Sequence, residues 1–232
     1  MPDADVTRSA TETPLPAPPD RRHGAPLLPP VIAYAVLTVA AAIVPMLIAG
    51  HAAWSSDSAL LDVYQHHHGA ARAQALLTTA AAIPLAVLSA ISCDRIKTCG
   101  VDAPGRVIAL IGGAVSAALL ATSGLISLAL LGEHTATSLP LLQFGQRLAT
   151  ALGGTGFAAF TGLLVAGISI TGLLGRILPK PLALTGVVAA VVGELALLTI
   201  LTDAADPLLP LARFASLIVL IAAAITMRPQ VT

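Results

Sequence analysis

Charge, aromatic side chains and cysteine are all scarce in this chain of 232 residues. Only 10% of its residues are charged, against roughly 25% in soluble domains. The formal net charge of zero argues against nucleic acid as a partner, because phosphate binding needs a basic face, and 3% aromatic residues give no visible base-stacking platform. With only Cys93 and Cys99 present, a disulfide-stapled secreted domain is excluded, and no cofactor-binding motif appears.

Long apolar runs dominate instead, with 56% hydrophobic residues and a mean hydropathy of +0.88. Six of them can each cross the ~30 Å hydrocarbon core of a bilayer as a helix. They cover residues 31–50, 73–93, 107–131, 148–174, 182–201 and 208–227. The sequence therefore predicts an all-α fold, a six-span transmembrane helical bundle over residues 31–228. The first 30 residues are proline-rich and mixed in charge, which predicts a disordered tail.

Basic residues are distributed unequally between the two sides of this bundle. Six spans place both termini on one side, and most of the 12 Lys and Arg residues flank that side. These residues are Arg8, Arg21, Arg22, Arg95, Lys97, Arg106, Arg176, Lys180 and Arg228. Only Arg72, Arg147 and Arg213 belong to the other side. By the positive-inside rule, we expect both termini to be cytoplasmic in a multi-pass protein of the inner (plasma) membrane.

A single carboxylate, Glu194, lies well inside the fifth span, LALTGVVAAVVGELALLTIL. An ionised carboxylate in hydrocarbon needs a partner, a proton or a water-filled cavity. At 1.5 Å per residue, Glu194 lies ~12 Å below the outer end of its helix and Arg213 lies ~9 Å below the start of the next. We therefore expect an intramembrane charge pair of Glu194 with Arg213, with Arg147 as the reserve partner.

Glycines are concentrated in the fourth span, LATALGGTGFAAFTGLLVAGISITGLLG. Gly154, Gly162 and Gly167 are predicted to let neighbouring helices approach closely, which places the third and fourth helices at the bundle centre. The GGTG stretch is not a phosphate loop, because no strand precedes it and no GKS or GKT follows.

The loop after the first span is rich in possible metal ligands. Asp62, His66, His67 and His68 combine carboxylate and imidazole groups that transition metals bind. The HHH run has no defined metal-ligand spacing. Three interpretations of this segment therefore remain open: a solvated loop, a metal site and a pH sensor.

No catalytic motif occurs, so we predict that the protein is not an enzyme. The leading hypothesis is a scaffold or regulatory component that contacts other membrane proteins or further copies of itself in the lipid bilayer. The first alternative is a small transporter coupled to protons or cations through Glu194. The second is an outer-face metal or pH sensor acting through residues 66–68.

Four segments of the second half carry a resemblance to a known family. They are GLLVAG (162–167), GRILPKPLALTG (175–186), GELALLT (193–199) and PLLPLARF (207–214). Over residues 105–228 the chain resembles an uncharacterised, mainly actinobacterial family of six-helix membrane proteins. The resemblance implies a fold and a membrane location rather than an activity.

Overall fold

We describe the fold from a computed structural model, which defines residues 26–49, 63–64, 66–101, 103–132, 138–202, 205 and 207–227. These residues form helices joined by turns, and no strand occurs among them. Six of the helical stretches in this part of the chain are long and apolar enough to cross a membrane. The predicted all-α architecture with six spanning helices is therefore confirmed.

Within the described ranges, seven α-helices and two irregular helical segments have defined bounds. They are α1 (Leu28–Ala49), α2 (His68–Thr98), α3 (Pro104–Ala129), α4 (Leu139–Thr150), α5 (Phe157–Leu174), α6 (Lys180–Leu195) and α7 (Leu208–Thr226). A π-helical segment, Ala151–Gly156, joins α4 to α5 into one continuous span, Leu139–Leu174. A 3₁₀ segment, Ala196–Ile200, extends α6.

Five of the six spans begin earlier than the hydropathy pattern predicts, and in the first and the fourth spans the opening turn contains proline. The first starts at Leu28, so Pro29 and Pro30 lie in its first turn rather than in the tail, and proline is tolerated there because those N–H groups have no intrahelical acceptor. The fourth span starts at Leu139, not at residue 148, with a proline again in the opening turn. Residues 1–25 of the predicted tail lie outside the described part of the chain.

Consecutive spans pack antiparallel, and small residues set their register. Gly124 and Gly113 of α3 contact Thr79 and Ser89 of α2, respectively. Residue numbers therefore rise along one helix where they fall along the other. The same opposed order joins α3 to α5 and α5 to α6. The fourth and third spans are the most buried of the six, which places them at the centre of the bundle.

One end of the bundle carries its own apolar cluster, which we call the Tyr64 end. It consists of Val63 and Tyr64, which precede α2, Ala71 in the first turn of α2, Leu130 directly after α3, and Leu142 in the first turn of α4. The Tyr64 hydroxyl donates a hydrogen bond of 3.2 Å to Gln146 Oε1. Burial raises the pKa of Tyr64 to about 12, because the charged phenolate is poorly solvated there.

Candidate functional site

Arg213 is the most buried of the described arginines near the Tyr64 end: Arg72 and Arg147 are exposed, whereas Arg213 is half-buried. It lies five residues after Leu208, hence ~8 Å along α7. Its guanidinium lies 4.8 Å from the centroid of the Phe157 ring, a cation–π distance. One Nη donates a long hydrogen bond of 3.5 Å to the Gly153 carbonyl oxygen. Arg213 is thus held by a ring face and a weak backbone contact.

The Nε atom of Arg213 is buried and has no hydrogen-bond partner. Leaving a buried donor unpaired costs about 1–3 kcal/mol, and more for a charged group. No carboxylate in the described ranges pairs with this guanidinium, because Asp94 and Glu194 are the only acids described and neither is bonded to it. The positive charge therefore remains without a counter-charge from the described residues.

Three cavities adjoin Arg213 and share lining residues with one another. Two have volumes of about 310 Å³ and the third about 180 Å³. Thr38 of α1 borders the first and second, Gln74 and Thr78 of α2 border the first and third, and Gly153 borders the second and third. Because the lining is shared, we treat the three as one compartment and call it the Arg213 compartment.

The π-helical segment forms one wall of this compartment. Its sequence, ALGGTG, contains two adjacent glycines, and Gly153 leaves room for the Ser123 side chain of α3. The Ser123 hydroxyl donates to the Ala149 carbonyl oxygen at 2.7 Å. The extra residue in a π-helical turn interrupts the regular pattern of backbone hydrogen bonds of an α-helix. Such turns are frequent at functional sites. The Gly153 carbonyl that Arg213 contacts belongs to this turn.

Glu194 lies elsewhere, on the outward surface of α6, and its side chain is exposed. Its neighbour Gly193 faces α5, where an added Cβ would lie 2.8 Å from the Ala158 carbonyl oxygen. The next residue along a helix is rotated by about 100°, which turns Glu194 away from that contact. The residues three before and three after it, Val191 and Leu197, share its face across the start of the 3₁₀ segment and are also exposed, so the carboxylate sits on an apolar outward face.

The predicted charge pair is accordingly not formed. No ion pair joins Glu194 to Arg213 or to Arg147 in the part of the chain that the structure describes. The prediction compared only heights along the helix axes, whereas the side chains also differ in direction around them. Arg213 points towards Phe157 and the compartment, while Arg147, near the end of α4, is exposed.

The predicted packing glycines differ among themselves. An added Cβ on Gly162 would lie 2.9 Å from the Ala190 carbonyl oxygen, and one on Gly167 would lie 2.5 Å from that of Gly105. Both therefore lie at close helix–helix contacts. At Gly154 the nearest atoms would be 3.7 Å away, which is ordinary van der Waals distance.

The candidate metal ligands are only partly within the described residues. Asp62 lies outside them, whereas His66, His67 and His68 stand at the start of α2, with His66 and His68 exposed. No group of three His, Cys, Asp or Glu side chains that could hold a metal ion occurs among the residues that the structure defines. These ranges therefore add no geometric support to the metal-site interpretation.

The sequence reasoning missed the polar lining of the Arg213 compartment. Gln74 and Thr78 are four residues apart and so share one face of α2, and Gln146 of α4 borders the same space. The sequence did carry a signal for this polar lining: Gln74 and Thr78 place an amide and a hydroxyl one helical turn apart inside a predicted span. Nothing in the sequence indicates that these residues face Arg213, which is far away along the chain.

Comparison with protein-family models, with curated proteins and with solved structures gave no match. The resemblance to the six-helix family therefore stays a prediction.

Proposed function

We propose that this chain is a non-enzymatic scaffold or regulatory component of a bacterial plasma membrane, with both termini cytoplasmic. In this role it associates, through the outward face of α6, with a transmembrane helix of another protein. The observation that carries the proposal is Glu194, an exposed carboxylate inside a span and flanked by exposed apolar side chains.

Exposure of an ionised carboxylate to lipid is costly. A charged side chain near the middle of a bilayer costs at least about 2.5–3.5 kcal/mol, and such groups normally face a protein interior or a partner. Glu194 is roughly 10 Å from the end of the helical extension at Ile200, so it lies below the membrane surface. A partner helix with a basic side chain at this height would neutralise the carboxylate.

The orientation belongs to the same proposal. Nine of the 12 basic residues flank the side that contains the termini, as the positive-inside rule requires for cytoplasmic segments. With this orientation, the Tyr64 end faces outwards and Glu194 lies in the outer half of the membrane.

A photo-crosslinking experiment in cells tests the association. A photoreactive amino acid at Val191, beside Glu194, is expected to give a crosslink whose partner peptide is a membrane span with a lysine or arginine. Glu194→Leu should abolish this crosslink, and Glu194→Arg with the reciprocal acidic replacement in the partner should restore it. The same photoreactive residue at Ile83, which is exposed on α2, serves as the matched control.

An unchanged crosslink in Glu194→Leu would contradict the proposal. A crosslink between two copies of this chain would make the partner a homo-oligomer. The transport alternative has less support, because Glu194 lines none of the three cavities at Arg213. It would gain support if Glu194→Gln kept the crosslink and lost proton-dependent flux in proteoliposomes.

A further inference from the structure

The Arg213 compartment has the features of a ligand site that is separate from the face of α6. A half-buried guanidinium borders all three of its cavities and has no carboxylate partner among the described residues. We propose that this compartment binds the phosphate group of an amphipathic phosphate ester.

The guanidinium supplies the anion-binding element. Its planar set of N–H donors matches the oxygen atoms of a phosphate, and such charge-assisted hydrogen bonds are about twice as strong as neutral ones. The contacts it makes within the protein are weak: one bond of 3.5 Å to a carbonyl oxygen, and Nε has none. Most of its hydrogen-bonding capacity is therefore free for a ligand.

The polar lining supplies further groups at the same place. Thr38, Gln74 and Thr78 border the first cavity together with Arg213, and their hydroxyl and amide groups can donate to phosphate oxygens. No acidic residue lines any of the three cavities, so the described walls do not repel an anion.

The size and the apolar wall indicate that the ligand is larger than a free phosphate ion. A single cavity of about 310 Å³ is already at the lower end of the roughly 300–1,000 Å³ range of small-molecule sites. Pro45, Met46 and Leu120 also line this cavity and give it apolar surface. A phosphate ester with an apolar portion fits both surfaces, and it can come from a phospholipid or from a soluble metabolite.

The test separates these two sources and uses the full-length protein. Native mass spectrometry after extraction from nanodiscs measures retained phosphatidylglycerol, with discs of the phosphate-free lipid digalactosyldiacylglycerol as the reference. Equilibrium dialysis in detergent measures binding of radiolabelled glycerol 3-phosphate. Arg213→Gln is expected to lower one of these affinities at least about tenfold, and Arg213→Lys by less, because lysine keeps the charge but not the planar set of donors.

The matched control is Arg147→Gln, which removes an exposed arginine from the same end of the bundle and should leave both affinities unchanged. If Arg213→Gln does not fold, Gln74→Leu combined with Thr78→Val keeps the charge, removes polar lining and should weaken the same binding several-fold. Loss of lipid retention alone identifies a phospholipid, and loss of glycerol 3-phosphate binding alone identifies a soluble ester.

Equal binding of both probes by the wild type and by the Arg213 and Gln74/Thr78 variants would overturn the proposal, as would the absence of binding to the wild type. The result is independent of the α6 association, because Glu194→Leu should not change either affinity.

Discussion

Gly193 of α6 lies against Gly162 of α5 so closely that a Cβ added to Gly193 would be 3.1 Å from the Gly162 Cα. The same Cβ would be 2.8 Å from the Ala158 carbonyl oxygen, a backbone atom that cannot move independently of its helix. This contact sets the rotation of α6 and thereby turns Glu194 outwards. The position of the carboxylate is thus decided by its glycine neighbour.

Gly193→Ala should therefore destabilise the bundle. The added methyl group forces α5 and α6 apart, and overpacking of this kind typically costs about 1–3 kcal/mol. The matched control is Gly154→Ala, where the nearest atoms would be 3.7 Å away and no loss is expected. Unfolding free energies in bicelles, measured by steric trapping, would check both variants. Equal stability of the two would show that the contact is not close in the membrane.

The proposed orientation can be tested with a native thiol. Cys99 is exposed at the end of α2, and a Cys93→Ala variant leaves it as the only cysteine. In spheroplasts, a membrane-impermeant maleimide should label Cys99 only after permeabilisation. The control, His68→Cys in a chain without native cysteines, places a thiol at the opposite end of α2 and should be labelled at once. The reverse pattern would place the termini outside the cytoplasm.

Tyr64 should titrate far above an ordinary tyrosine. Its pKa is raised to about 12 by burial, whereas an unfolded tyrosine ionises near pH 10. Between these values the unfolded chain has released a proton that the folded chain keeps, so stability should fall as the pH rises from about 10 to 12. Tyr64→Phe should remove the part of this dependence that Tyr64 contributes.

The measurement is simple because the chain has only two tyrosines. In a Tyr34→Phe variant, tyrosinate absorbance reports Tyr64 alone and should rise with a midpoint near pH 12. A midpoint near 10 would mean that the Tyr64 end is open to water and that the bond to Gln146 does not persist.

The spans were predictable because hydropathy and length are local properties. A run of twenty apolar residues has few ways to satisfy its backbone in lipid other than as a helix, whatever surrounds it. The residues at which the helices begin were less predictable, because proline-containing first turns extend α1 and α4 beyond the apolar runs. Gly162 and Gly167 were also recognisable, since small residues in a span favour close packing.

The charged residues show where local reasoning ends. Residue spacing placed Glu194 and Arg213 at similar heights, and this estimate treated each helix as a line rather than a cylinder. The direction of each side chain depends on which face its helix buries, and that depends on contacts such as those of Gly193 and Phe157. The pairing prediction failed for this reason.

The sequence by itself determined that the chain is a bundle of six membrane helices. The preference of apolar side chains for lipid, and the need of the backbone to form its hydrogen bonds internally there, depend only on the residues within each apolar run. Only the tertiary structure decided that Glu194 faces outwards and that Arg213 borders a polar compartment. The rotation of a helix about its axis is fixed by packing between segments far apart in the chain, such as Gly193 against Gly162.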